Sequence, residues 1–210
     1  MANLLYVEAS PRKQRSASIE VAQAFLDSYR DSHPGHTVHK MDVWNLALPE
    51  FDGAAIDAKY AGIEGRERTE EQKKVWQSIQ ALAQPFKDAD TIVISAPMWN
   101  WGIPYKLKHL IDVVSQKDIL FTFDERGLLG LLNGKKAVLI LAKGVDYAPE
   151  SATRDWDVQT SYLTVWLNSN GITDITLIPV EKTLYGPEVD QGSRDAAKVN
   201  AIRVARSLPQ

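Results

Sequence analysis

The chain has 210 residues, a formal net charge of -3, and 44% hydrophobic against 24% charged residues. That balance predicts one compact soluble domain over residues 1–210 and argues against a dedicated nucleic-acid binder, which presents a basic face. Cysteine is absent, which excludes disulfides, thiol nucleophiles and thiolate-held metals and leaves any redox chemistry to a bound organic cofactor.

In chain order, Asn3–Val7 reads as a first buried strand. The residues before it lack the basic and long apolar regions of a signal peptide, and no apolar run reaches the ~18–20 residues that cross a bilayer, so a cytoplasmic, membrane-free protein is expected. Loop 8–15 follows, then a helix over Ser16–Tyr29 with Ile19, Ala22, Phe25 and Leu26 on one face. His33, His36 and His39 are read as a solvated connection rather than a metal site, because Pro34 and Gly35 interrupt them and no carboxylate completes a ligand set. Thr37–Met41 is a weaker strand, and Pro49–Gly65 is irregular or loosely helical. Glu70–Phe86 is a helix with Val75, Ile79 and Leu82 on one face. Thr91–Ser95 is an uninterrupted apolar strand of the kind covered on both sides. A helix over Ile103–Ser115 follows, with His109 as a surface or packing residue. Ile119–Phe123 and Leu128–Leu132 flank Asp124-Glu125-Arg126-Gly127 as a small hairpin. Lys136–Ala142 is the fourth sheet strand, Trp156–Asn168 a helix, Ile172–Pro179 the fifth strand, and Pro187–Ser207 a terminal helix starting at a proline. Strands alternating with helices require crossovers and hence a parallel sheet with helices on both faces, a three-layer α/β sandwich. Five strands favour the flavodoxin-like order 2-1-3-4-5, with ligands at the carboxyl ends of strands 1, 3 and 4.

Three loops meet there. The first, 9–18, contains neither G-x-G-x-x-G nor G-x-x-x-x-G-K-[ST]. It offers Ser10, Ser16 and Ser18 as hydroxyl donors, backbone N–H groups at the helix start, and Arg12, Lys13 and Arg15 nearby, a set suited to a phosphate monoester. As an alternative, Ser16 is only a helix cap and the cations are solvated. The second, Pro97-Met98-Trp99-Asn100-Trp101-Gly102-Ile103-Pro104, places two tryptophans where a flat aromatic ligand would rest, and Gly102 is the expected site of positive φ or close approach. The less favoured alternative, not exclusive of the first, is that Trp99 and Trp101 are core or dimer-interface anchors. In the third, Ala142-Lys143-Gly144-Val145, Gly144 would let the chain approach a ligand and Lys143 would bring positive charge to it. A plain exit turn with a solvated lysine remains the other reading.

Together these segments resemble the FMN-dependent NADH-azoreductases, which are also NADH:quinone oxidoreductases of flavodoxin-like fold. The likeness rests on Ser10 with Ser16-Ala17-Ser18, on Pro97-Met98-Trp99-Asn100-Trp101 continuing to Leu107-Lys108, and on Gly134-Lys135-Lys136-Ala137, Gly171-Ile172-Thr173-Asp174 and Tyr185-Gly186-Pro187-Glu188. One departure stands after the fourth strand. Where related proteins often have Ser-Arg-Gly-Gly, Ala142-Lys143-Gly144-Val145 loses the hydroxyl and gains a β-branched residue, and the loop Asp146–Asp157 is longer. The resemblance implies a single flavodoxin-like FMN-binding domain with one non-covalent FMN per subunit of a homodimer, NADH as donor, and ping-pong reduction of quinones. Aromatic azo compounds would be cleaved to amines in two such cycles. It implies cofactor contacts at Ser10, Ser16, Ala17, Ser18, Met98, Trp99, Asn100, Trp101, Ala142, Lys143, Gly144 and Val145. Phe123 would wall the substrate space, from the partner subunit. No side chain is expected as an obligatory acid or base, and no metal. The alternative from another class is a non-enzymatic flavodoxin-like electron carrier. The near-neutral charge and the extra hairpin disfavour it.

Overall fold

A computed structural model describes residues 2–209. In chain order its strands are β1 (Asn3–Glu8), β2 (Thr37–Asp42), β3 (Thr91–Pro97), β4 (Phe121–Asp124), β5 (Gly127–Gly130), β6 (Lys136–Ala142) and β7 (Asp174–Val180). The helices are α1 (Ala17–Ser32), α2 (Gly53–Ile63), α3 (Glu70–Asp88), α4 (Tyr105–Val114), α5 (Val158–Ser169) and α6 (Pro187–Ser207). Five parallel strands pair as β2-β1-β3-β6-β7, and β4-β5 form a separate antiparallel hairpin. The expected order 2-1-3-4-5 therefore differs in its labels, because the hairpin strands occupy two places in the count between β3 and β6.

The central strands β1, β3 and β6 are near-continuously buried because both faces of the sheet are covered there. Leu5, Val7, Ile92, Ile94, Ala137, Leu139 and Leu141 pack with Ile79, Phe86, Leu107, Leu110 and Leu163 of α3, α4 and α5. Their alternate neighbours Leu4, Tyr6, Val93, Val138 and Ile140 pack with Phe25, Tyr29, Ala201 and Val204 of α1 and α6. Fully buried side chains such as Phe25 and Phe86 each stabilise the sandwich by roughly 1.5–3 kcal/mol.

Several expectations need correction. Residues 53–63 form a regular helix: Asp52 caps it by accepting from the N–H groups of Ala54 and Ala55, and Ala55, Ala58 and Ala61 bury one face. The histidine connection is not fully solvated. His33 is buried, stacks on Tyr29 at 4.5 Å and donates through Nε2 to Leu208 O at 3.0 Å. His36 Nδ1 shares a 2.8 Å hydrogen bond with the Tyr29 hydroxyl. The hairpin is held against α5 at Gly130, where a Cβ would lie 2.0 Å from the Asn170 carbonyl carbon.

Candidate functional site

The carboxyl edge of the sheet opens into a cleft of about 320 Å³ between β1, β3 and β6. Ser10, Arg12, Ser16 and Ala17 line one end, Pro97, Met98 and Trp99 a side wall, and Ala142 and Gly144 the wall beyond. Thr183 and Leu184 follow from the segment after β7, and Asp190 and Arg194 from α6. Its size lies in the range of small-molecule sites.

The first end is built by the start of α1. Ser16 is extended at φ -89°, ψ 120° and caps the helix, accepting from Ile19 N. Ser10, Ser16 and Ser18 are buried, and Ser16 Oγ and Ser18 Oγ share a 3.1 Å hydrogen bond. The N–H groups of Ala17 and Ser18, first in the helix, have no acceptor within it, which makes this end an anion receptor. Of the cations singled out in sequence, Lys13 turns away. Its Nζ lies 2.9 Å from Glu8 and 2.5 Å from Asp42, with its backbone at φ 49°. Arg12 does line the cleft, and among the described residues no carboxylate pairs with it. Sequence inspection missed the contribution of α6. Arg194 grips Asp190 through Nε and NH2, both at 2.8 Å, and reaches Glu20 through NH1 at 2.8 Å. Asp190 first, and Glu20 with it, outweigh burial and raise the guanidinium further above its ordinary pKa. Burial pushes Glu20 up, but hydrogen bonds from Lys198 and Arg194 hold its carboxyl below the ordinary value. The i, i+4 spacing of Asp190 and Arg194 was the available signal.

The side wall is a tight turn. Trp99 N donates to Gly102 O and Gly102 N to Trp99 O, each at 3.0 Å. Positive φ falls on Asn100 (46°) and Trp101 (65°), not on Gly102, because a two-residue turn of this hand requires it at both central positions. Asparagine tolerates that region; a tryptophan there is strained by about 1–2 kcal/mol. The turn separates the two tryptophans. Trp99 lines the cleft and packs at 5.8 Å against Trp44, whose Nε1 donates to Ala9 O at 3.0 Å. Trp101 lies outside the cleft, 51% exposed, and meets Trp156, 54% exposed, edge-on at 6.3 Å.

The far wall departs most from expectation. Met98 N donates to Ala142 O at 2.7 Å, tying the turn to β6. The Lys143 side chain is 2% exposed and is not part of the cleft lining. Its Nζ lies 2.6 Å from Asp157 and 3.4 Å from Glu181, over the Tyr147 ring at 5.1 Å. The expected positive charge beside a ligand is therefore corrected: two carboxylates hold that ammonium behind the wall. The close approach at Gly144 is to Leu184, whose Cδ1 would stand 2.7 Å from a Cβ there. Val145 O accepts from Lys182 N at 3.3 Å, so this loop and the segment after β7 continue each other's pairing. The structure thus gathers Ser10, Ser16, Ala17, Met98, Trp99, Ala142 and Gly144 around one cleft. Ser18 supports them from behind, while Asn100, Trp101, Lys143 and Val145 shape the loops without lining it. Phe123, on the hairpin, is exposed and does not line the cleft of its own chain.

A serine-lined helix start facing an aromatic turn, at the switch point of a parallel sheet, defines an α/β protein built for a phosphorylated, flat ligand. A family model described as flavodoxin-like fold matches residues 2–204. An FMN-dependent NADH:quinone oxidoreductase of Burkholderia lata is 53% identical over 99% of this chain and 98% of its own, and one of Pseudomonas fluorescens is 46% identical with the same coverage. Among solved structures, azoreductase from Bacillus anthracis str. Sterne superposes with a TM-score of 0.91 at 27% identity, covering 99% of this chain and 100% of that one. An FMN-dependent NADH-azoreductase from Bacillus anthracis str. Ames Ancestor in complex with FMN gives 0.86 at 29% identity, over 98% and 100%. The chain belongs to the FMN-dependent NADH:quinone oxidoreductase family of flavodoxin-like fold.

Proposed function

We propose that this protein is an FMN-dependent enzyme that uses NADH to reduce quinones, by ping-pong turnover, and that also cleaves aromatic azo compounds to amines. The observation that carries this is the single cleft joining the hydroxyl-lined start of α1 to the Pro97–Trp99 wall. The residues present fit the cofactor. Ser10, Ser16, Ala17 and Ser18 with the open N–H groups of α1 would hold its phosphate, and Met98, Trp99, Ala142 and Gly144 would hold its ring. Asn100, Trp101, Lys143 and Val145 would contribute through the backbone and loop shape. Bound FMN supplies the two-electron carrier between donor and acceptor. The protein's part is to orient that carrier and exclude water from its face; no side chain in the cleft is required as acid or base.

The whole chain forms this one FMN-binding domain. A second copy supports the reading. Trp101 and Trp156 are exposed and pack edge-on, and the exposed Tyr105 and Val158 line one surface groove; exposed apolar surface of that kind marks an interface. A homodimer would bring Phe123 of one subunit over the other's acceptor space. Among the described residues no helix is long and apolar enough to cross a membrane, and we place the enzyme in the cytoplasm with small-molecule partners, not nucleic acid.

Purified protein should bind FMN with micromolar or tighter affinity. Steady-state rates with NADH at several benzoquinone concentrations should give parallel double-reciprocal lines. Absence of FMN binding would overturn the cofactor assignment, and intersecting lines would overturn ping-pong turnover. Stable semiquinone without NADH oxidation would instead support the electron carrier.

A further inference from the structure

Two carboxylates lie close to the anion-receptor end of the cleft. Asp190 lines it, and Glu20 sits one helical turn into α1. Left uncompensated, they would repel a phosphate dianion. Arg194 is placed to prevent this, since it grips Asp190 through two nitrogens and Glu20 through a third. Glu20 has a second cation, Lys198 at 2.9 Å. Asp190 has no other cation than Arg194 among the described residues. The Arg194 side chain is 14% exposed, so water screens the pair poorly, and both residues line the same cleft as Ser10 and Ser16.

We infer that Arg194 is a specificity-determining residue. By neutralising Asp190 it lets the cleft accept a phosphate monoester, and it sets the preference for FMN over the same flavin without its phosphate. This rests on the functional reading above and adds a residue to it that lies outside the three loops. The rim Arg12, free of carboxylates, then supplies the net positive charge, while the Asp190–Arg194 pair contributes none. The arrangement makes the phosphate site dependent on a charge balance carried by α6, and the surroundings of that site are tuned by one i, i+4 pair.

The test compares FMN and riboflavin affinities, by quenching of flavin fluorescence, for wild type, Arg194→Met, Asp190→Asn and the double variant. Arg194→Met should weaken FMN by about 10- to 100-fold and riboflavin by less than about 3-fold, the gap narrowing at high salt. Asp190→Asn keeps the arginine and its packing, and should tighten FMN by about 3-fold or more without affecting riboflavin. The double variant should return to within about 3-fold of wild type, because charge balance is restored. Equal losses for both flavins, an unchanged FMN affinity in Arg194→Met, or no recovery in the double variant would overturn the inference while leaving the FMN assignment standing. Wild-type protein that binds neither flavin would overturn the functional reading and this inference with it.

Discussion

Replacing Lys143 by methionine distinguishes a charge that serves the ligand from one that holds the fold. In the structure the ammonium is 2% exposed, with Asp157 and Glu181 at 18% and 22%. Removing one partner of a fully buried pair costs about 3–5 kcal/mol, because the remaining charge is stranded. Here the stranded carboxylates keep about a fifth of their exposure, so a smaller loss of about 2–3 kcal/mol follows. For a domain of this size that lowers the melting temperature by about 5–10 °C. Adding Glu181→Gln to Lys143→Met should recover about half of the loss, since one stranded charge is then gone. The pH dependence has a definite sign. Burial pushes the Asp157 carboxyl up, but hydrogen bonding from Lys143 and Thr160 outweighs it and holds the group below its ordinary value. Its stabilisation is therefore complete above the unfolded pKa of about 3.9 and lost as pH falls through the depressed folded value. Urea unfolding should show the full gap between wild type and Lys143→Met at pH 7, narrowing below about pH 4. A variant with wild-type stability but altered FMN affinity would refute this reasoning and restore the ammonium to the ligand's side.

At the turn, Asn100→Ala should cost roughly 1 kcal/mol because alanine resists positive φ, while Asn100→Gly should stay within roughly 0.5 kcal/mol of wild type; urea titration separates them. Glu20→Gln removes one carboxylate from the α1–α6 bridge. It should cost about 1 kcal/mol at pH 7 after allowance for solvent, and nothing once pH falls below the depressed pKa of Glu20, where wild type is also protonated. Phe123→Ala, if Phe123 walls the acceptor space from the partner subunit, should raise the KM for a quinone several-fold and leave FMN affinity unchanged; a loss of FMN binding would refute that placement.

Periodicity made the sheet legible. Thr91–Ser95 and Lys136–Ala142 carry no polar residue inside the strand because both faces are covered, and their elements appear as expected. The α6 boundaries, Pro187–Ser207, were likewise marked by local chemistry at Gly186-Pro187. Helix α2 was legible only as an irregular or loosely helical stretch, because its glycines lower helix propensity while its stability comes from an Asp52 cap and three buried alanines. The anion end could be anticipated from Ser10, Ser16 and Ser18, since caps and hydroxyls are local features. The direction of Lys143 could not, because Asp157 and Glu181 stand 14 and 38 residues away. The same applies to Arg194 and Glu20, separated by 174 residues and joined only when α1 and α6 pack on one face.

The two tryptophans of the turn show how one local sequence can serve two surfaces. A two-residue turn with both central residues at positive φ reverses the chain between Trp99 and Gly102. Trp99 is thereby held in the cleft, braced by Trp44 and Tyr105, whereas Trp101 is carried outward to Trp156 on the long loop before α5. The turn therefore links the cleft wall at Trp99 to the exposed face at Trp101 through two hydrogen bonds. Glycine at 100 accepts positive φ as readily as asparagine and should keep both Trp99–Gly102 hydrogen bonds and so that link. Alanine at 100 weakens the turn by roughly 1 kcal/mol, so, with the second subunit on the Trp101 face, the two substitutions should separate in dimer dissociation as well as in stability.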